Sequence, residues 1–314
     1  MLGVGITAAG LAALSHSVTH CLMHVALDRE VPVIGHMAKA REYLCGIPNA
    51  AAFFRMLEEA GEGLKQSSCE VVEVYGHDGE KLVGHWFFRD DAERVIIAMH
   101  GWRSSWWRDF GMIADFWCES KCSVLYAEQR GQNESGGSYM GFGLTERFDC
   151  PEWVKWVNQR CGSELPIYLT GVSMGATTVL MAAGLELPDN VKGIIADCGF
   201  TSPEEIWKHV ARHNLHLPYG IRRSAANGIC KRKIHMAANA YSTLDALKNT
   251  RIPVLLIHGT DDHFVPVEMT YQNYKACVGP KQLFVVPGAD HGMSYLVDGE
   301  GYRRRMAEFW SSYC

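Results

Sequence analysis

From Glu70 onward, short apolar runs alternate with helix-length segments: VVEVYG, LVGHWFF, VIIAMH, CSVLYAE, PIYLTG, GIIADC, PVLLIH and QLFVVPG. The later runs are continuous in Val, Ile and Leu rather than alternating, which is the pattern of strands covered on both faces by crossover helices. The first two runs are parted by the turn signal Gly76-His77-Asp78-Gly79 and predict an antiparallel hairpin. Together they predict an α/β architecture: an eight-stranded, mostly parallel, doubly wound sheet. The segment from Thr201 to Asn249 breaks the rhythm, with helical pieces such as PEEIWKHVARH and no good strand. It reads as a helical lid inserted over the carboxyl edge of the sheet, where open α/β folds place their sites. No repeat or Gly/Ser linker divides the rest, so residues 70–314 read as one domain and residues 1–69 as an N-terminal helical extension.

The first 27 residues carry no Asp, Glu, Lys or Arg, but only Met1 to Leu14 are consistently apolar. That stretch is short for a membrane span and lacks the basic start of a secretory signal. The expectation is a helix that packs on the domain or makes peripheral contact with a membrane surface through residues 1–27. His16, His20 and His24 fall on one helical face. With no carboxylate seen at ligand spacing, they read as a polar stripe rather than a metal site.

Composition narrows the partners. A hydrophobic share of 47% against 21% charged residues is that of a chain that folds. The net charge of -5, without a long Lys/Arg block, gives no general attraction to nucleic acid. The 11 cysteines are odd in number and form no CxxC pair; Cys118 and Cys122 lie four apart in a segment that reads as helix. Reduced thiols and a cytoplasmic location are expected.

The chemistry enters at YLTGVSMGATTVL, where Ser173 stands between Gly171 and Gly175 as a predicted strand turns into a predicted helix. The two glycines admit the sharp turn that lifts a serine hydroxyl above the sheet, the geometry of a nucleophile elbow. A serine hydroxyl is a poor nucleophile, so a base, an orienting acid and oxyanion donors are required. After PVLLIH comes GTDDHFVP, where Asp262 is the preferred acid and Asp261 its neighbour and competitor. After QLFVVPG comes ADHG, which presents His291. The order Ser, Asp, His, each just past a strand, is the order of α/β-hydrolases. The oxyanion donors fall to the main-chain N–H of Met174 and to one from His100-Gly-Trp-Arg-Ser-Ser105, with Trp102 the candidate.

The set HGWRSS, EQRGQNESGG with GFGLTERFD, GVSMG, ADCGFTS, HGTDDHFVP and ADHGMSY resembles the α/β-hydrolase superfamily. The likeness is closest to bacterial serine hydrolases with an apolar N-terminal helix, related to prolyl-oligopeptidase-like peptidases and feruloyl esterases. It spans roughly Glu70 to Cys314. It implies hydrolysis of carboxylic esters of small to medium acyl groups through an acyl-enzyme, with no metal or organic cofactor and a small-molecule ester as substrate. Ser173, Asp262 and His291 match its triad, and Trp102 and Met174 its oxyanion donors. The pattern Asp-x-Arg-Gly-His-Gly-x-Ser is altered: Glu128 replaces Asp and Gln132-Asn133 replace His-Gly, while Arg130, Ser135 and Gly137 remain. This puts substrate contacts in doubt rather than the triad.

A peptidase or amidase, a thioesterase or acyltransferase, and a binding protein with an inert pocket are the competing functions. A peptidase of this kind usually carries a propeller that gates peptides, for which residues 1–69 are too few. Within the predicted lid, Trp207, Leu215, Leu217 and Tyr219 are the candidate pocket residues. His209, His213 and His216 read as one face of a lid helix rather than a zinc site. Arg222, Arg223, Lys231, Arg232 and Lys233 read as a solvated surface, with attraction of an acidic substrate as the alternative.

Overall fold

Each of the eight apolar runs forms a strand in the computed structural model, which describes residues 8–31 and 50–313. The strands are β1 (Glu70–Tyr75), β2 (Lys81–Phe87), β3 (Arg94–Met99), β4 (Cys122–Ala127), β5 (Ile167–Val172), β6 (Val191–Asp197), β7 (Val254–Gly259) and β8 (Lys281–Val286). They form one open sheet in the order β1-β2-β4-β3-β5-β6-β7-β8. The predicted hairpin is present: β1 pairs antiparallel with β2, and β2 antiparallel with β4, while every later pairing is parallel.

Alternate residues of the central strands feed two separate cores, which is why both registers of each run are apolar. Val95, Ile97 and Met99 of β3 join Leu169 of β5 and Leu256 of β7 on one face. There they meet helices α4 (Asp149–Cys161) and α5 (Met174–Ala182) through Trp153, Val154, Val179 and Leu180. Ile96, Ala98, Tyr168 and Leu255 point the other way. They meet α3 (Trp106–Glu119) and α11 (Gly299–Ser312) through Phe110, Trp117, Met306 and Phe309. Helix α2 (Ala50–Gln66) packs on α3, bringing Leu64 into the same core.

The chain leaves β3 to reach β4 on one side and, later, β5 on the other, so the strand order reverses between β3 and β5. Loops diverging at such a switch point leave a crevice at the carboxyl ends of the strands. Over that edge lies a third apolar cluster, which joins Met23 and Leu27 of α1 (Ala8–Leu27) to Met174, Phe200, Ile206 and Val265. Between β6 and β7 run α6 (Pro203–His209), a π-turn over Val210–Asn214, α7 (Arg223–Ile234) and the short α8 (Thr243–Leu247). Ser202 and Ser242 cap α6 and α8 through bonds from Glu205 N–H and Asp245 N–H. The remaining helices are α9 (Val267–Ala276) and α10 (Ser294–Val297).

Three sequence expectations change. Cys118 and Cys122 do not share a helix: the first ends α3 exposed and the second opens β4 buried, because the chain turns through left-handed Lys121 (φ 53°). His24 does have a carboxylate one turn on, since its Nδ1 meets Asp28. His216 leaves the face of His209 and His213, which stack at 4.6 Å, because the helix ends before it and His216 is itself left-handed (φ 52°). The described cysteines are all free thiols; Cys45, Cys314 and the first seven residues of the apolar start lie outside the described residues. No described helix is long and apolar enough to cross a membrane.

Candidate active site

Ser173 joins β5 to α5 with φ 55° and ψ -115°, a conformation that stores about 1–3 kcal/mol in a residue with a side chain. Two main-chain bonds hold it: Ser173 N–H donates to Asp197 O (2.9 Å), and Thr177 N–H donates to Ser173 O (3.0 Å). The flanking glycines are steric necessities. A Cβ on Gly175 would lie 1.9 Å from Met99 O, and one on Gly171 would lie 2.3 Å from the Gly175 carbonyl. Strand and helix cross too closely here for any side chain.

His291, on the loop after β8, reaches the serine. Its Nε2 lies 2.9 Å from Ser173 Oγ, and its Nδ1 2.7 Å from Asp262 Oδ2. Nδ1–H therefore donates to the carboxylate, and Nε2 is left to accept the serine proton. The other Asp262 oxygen accepts from Phe264 N–H (2.9 Å) and Val265 N–H (2.7 Å). Asp261, one residue away, is exposed and accepts from Thr260 Oγ1 instead. Asp290 ties the two loops together, accepting from His291 N–H (2.7 Å) and His263 N–H (3.0 Å).

The electrostatics follow from this packing. Burial alone would keep Asp262 protonated, but the charge of His291 and hydrogen bonds from His258 and His291 outweigh it and hold the carboxyl well below the usual carboxylate range. Burial also opposes charge on His291; the adjacent Asp262 carboxylate overrides it and raises the imidazole well above its ordinary value. His258 is fully buried at the end of β7. Its Nε2–H serves Val265 O (2.9 Å) and Asp262 Oδ2 (3.1 Å), while Nδ1 accepts from Thr270 Oγ1 (2.6 Å). Beside His291 sits the thiol of Cys198, which burial pushes up to about 11, so it stays protonated at neutral pH. Sequence reasoning passed over His258, Asp290 and Cys198; only Asp290, next to His291, carried a signal.

The loop from His100 to Ser105 brings Trp102 to the same edge. Its main-chain N–H makes no hydrogen bond among the described residues, and Met174 N–H is at the first position of α5, where no intrahelical partner exists. A part-buried network holds the loop. Gly101 N–H donates to Asp109 (2.6 Å), Arg103 N–H to Gln132 Oε1 (2.5 Å), and Asn133 Nδ2 to Ser104 O (3.0 Å). His100, kept neutral by burial, donates from Nδ1 to Gly101 O and accepts from Gln129 N–H (3.1 Å) at Nε2. The departure at Gln132-Asn133 thus braces the loop that carries Trp102. Glu128 binds His85 Nε2 at 2.9 Å and accepts from Glu134 N–H (2.6 Å), one residue past Asn133.

A cavity of about 230 Å³ adjoins this edge, lined among others by Trp207, Leu215 and Tyr219 from the segment between β6 and β7. Leu217 is not on its wall: after left-handed His216 the chain folds back, and Leu217 N–H donates to Ala211 O (2.6 Å). The basic group is no uniform solvated face either. Arg222 is buried and donates to Pro218 O (2.6 Å), Arg223 pairs with Glu204, and Lys233 with Asp28.

The chain is 28% identical over 251 residues to the uncharacterized protein YqkD of Bacillus subtilis, covering 80% of this chain and 81% of that one. Among solved structures, the Pyrococcus furiosus esterase Pf2001 superimposes with a TM-score of 0.63 at 22% identity, over 78% of this chain and 90% of its own. Est1E from Butyrivibrio proteoclasticus does so with a TM-score of 0.58 at 20% identity, over 78% and 100%. At such identities these structures establish a common fold. The model of the prolyl oligopeptidase family matches residues 108–314, the span that carries Ser173, Asp262 and His291. The chain therefore belongs to the prolyl oligopeptidase family, within the α/β-hydrolase superfamily.

Proposed function

We propose that the protein hydrolyses carboxylic esters of small to medium acyl groups, with Ser173 as nucleophile, His291 as base and Asp262 as its orienting acid. The observation that carries this reading is the unbroken chain of hydrogen bonds from Ser173 Oγ through both nitrogens of His291 to Asp262. In the first half-reaction Ser173 Oγ bonds to the ester carbonyl carbon as its proton passes to His291 Nε2. The oxyanion is held by the N–H groups of Met174 and Trp102, each worth about 3 kcal/mol in comparable sites. Collapse breaks the carbon–oxygen bond to the alcohol, which leaves with the proton from His291. Water then gives a proton to His291 and attacks the acyl carbon, and Ser173 recovers that proton as the carboxylic acid departs.

The esterases among its structural neighbours support the ester reading, and the family description favours amide cleavage as the second one. Transfer to a thiol or another acceptor uses the same triad. Fluorophosphonate labelling of wild type and Ser173→Ala tests the nucleophile: labelling and ester hydrolysis are expected to vanish together in a variant of unchanged circular dichroism. Label retained by Ser173→Ala would remove Ser173 from the mechanism. Matched ester, thioester and amide substrates of one acyl group rank the alternatives by kcat/KM.

A further inference from the structure

The cavity that shares Trp102 and Phe264 with the candidate site is walled on one side by α1. Thr19, Leu22, Met23 and Ala26 lie on it at i, i+3, i+4 and i+7, with Cys21 and Val25 widening that stripe on one side. Across from them stand Trp102, Phe142 and Phe264, and almost none of the cavity's surface is polar. Two of these side chains belong to the catalytic centre as well. Trp102 carries the oxyanion N–H, and the Phe264 ring lies edge-on to His291 with centroids 5.1 Å apart. Met174, the other donor, packs in the same cluster as Met23 and Leu27.

α1 is also fastened to the oxyanion loop itself. Trp102 Nε1–H donates to Ala26 O (2.9 Å). Arg103 spans the end of the helix, donating to Val25 O (2.8 Å) and Asp28 O. Arg29 then donates to the carbonyls of Asn133 and Ser135, and Met140 N–H to Leu27 O (2.7 Å). An accessory helix needs none of these bonds to the loop that positions the oxyanion donor.

We infer that α1 is a specificity-determining part of the active site: its Leu22–Met23–Ala26 stripe forms the wall of an acyl-chain cavity, so the preferred substrate carries a linear apolar acyl chain. This rests on the ester reading above. At about 230 Å³ the cavity is below the roughly 300–1,000 Å³ of sites for drug-sized ligands, which suits a single acyl chain. Thr19, Tyr219 and Arg222 stand on its wall but expose almost no polar surface to it, so a charged or hydroxylated chain would enter largely at the cost of its hydration.

The test uses nitrophenyl esters from acetyl to dodecanoyl and a second series with the acyl group fixed and the alcohol lengthened. In wild type, kcat/KM is expected to rise about fourfold per methylene until the cavity is full, then level or fall. Ala26→Phe keeps the main-chain carbonyl that Trp102 uses but fills the cavity. It should lower kcat/KM for the best wild-type chain roughly 15- to 60-fold, the effect of two to three methylenes, and move the optimum to a shorter chain. Leu22→Ala enlarges the cavity and should move the optimum to a longer chain, while Ser17→Phe, on the exposed face of α1, should move nothing. Calorimetry with decanoate on Ser173→Ala, alone and with Ala26→Phe, reads the cavity without catalysis, and binding should weaken in the double variant. An unchanged acyl profile in both Ala26→Phe and Leu22→Ala, or a shift confined to the alcohol series, would overturn the inference while the ester reading stands. Decanoate binding that Ala26→Phe weakens, in a wild type that cleaves no ester, would uphold the cavity and remove the ester reading.

Discussion

At the scale of single residues, the decisive contrast is between two adjacent aspartates. Asp262 is buried and turns one carboxylate oxygen to His291, while Asp261 is exposed and bonded to Thr260. Asp262→Asn is expected to lower kcat by on the order of 10⁴, the loss seen when a triad acid is neutralised, and Asp261→Asn to leave most activity. Steady-state kinetics on both variants checks this, and the reverse result would give the role to Asp261. The pH profile gives a second readout. In the proposed mechanism His291 acts as a base only when neutral, and Asp262 raises its pKa. Activity should therefore be low below that pKa and rise with pH through it. In Asp262→Asn the raising charge is gone, so the residual activity should reach its plateau at lower pH. A limb that stays in place would mean that another group controls it. The glycines at this scale were legible because their requirement is local: Gly175→Ala would drive a Cβ into Met99 O.

At the scale of elements, what the sequence discloses is periodicity, and what it hides is long-range pairing. The eight strands and the hairpin were readable because both faces of β3, β5 and β7 meet apolar helices, leaving continuous Val, Ile and Leu. Ser173, Asp262 and His291 were readable because each follows such a strand. Nothing in residues 8–27 announces that their carbonyls would be taken by a loop some 75 positions away, and Gln132 looked like a departure from a pattern rather than the acceptor of Arg103 N–H. This suggests a test of the joint between α1 and the loop. Arg103 is left-handed (φ 51°) and its guanidinium engages the last carbonyls of α1, so Arg103→Ala should loosen the turn that aims Trp102 N–H. Complete loss of an oxyanion donor costs about 10²–10³ in kcat, and a displaced donor should cost about tenfold, with KM nearly unchanged. Arg103→Lys, which keeps the charge and part of the donor set, should recover some of it. A change confined to KM would place Arg103 with substrate binding instead of the loop.

At the scale of the molecule, the question is whether α1 is an appendage or part of one cooperative unit. Its contacts argue for the second. Leu27 is completely buried and Met23 nearly so, both in the cluster that contains Met174, Phe200 and Val265. Asp28 pairs with Lys233 of α7, and Asp28 bridges to Tyr139 of the loop after β4. The helix thus touches the turn at Ser173 and Met174, the segment between β6 and β7 and the loop that carries Trp102. Leu27→Ala removes buried methyl groups from that junction and should destabilise by about 2–5 kcal/mol, depending on how far the site collapses. If α1 unfolds with the domain, calorimetry will show one transition whose Tm falls by several degrees, at about 2–4 °C per kcal/mol in chains approaching this size. If α1 detaches on its own, the main transition will keep its Tm and only a small early step will shift, because energy lost from an element already undocked does not reach the global unfolding equilibrium. Activity separates the two cases again. Cooperative docking predicts that Leu27→Ala loses turnover only as the whole protein melts, whereas an independent helix would let turnover fall at temperatures where the sheet is still intact.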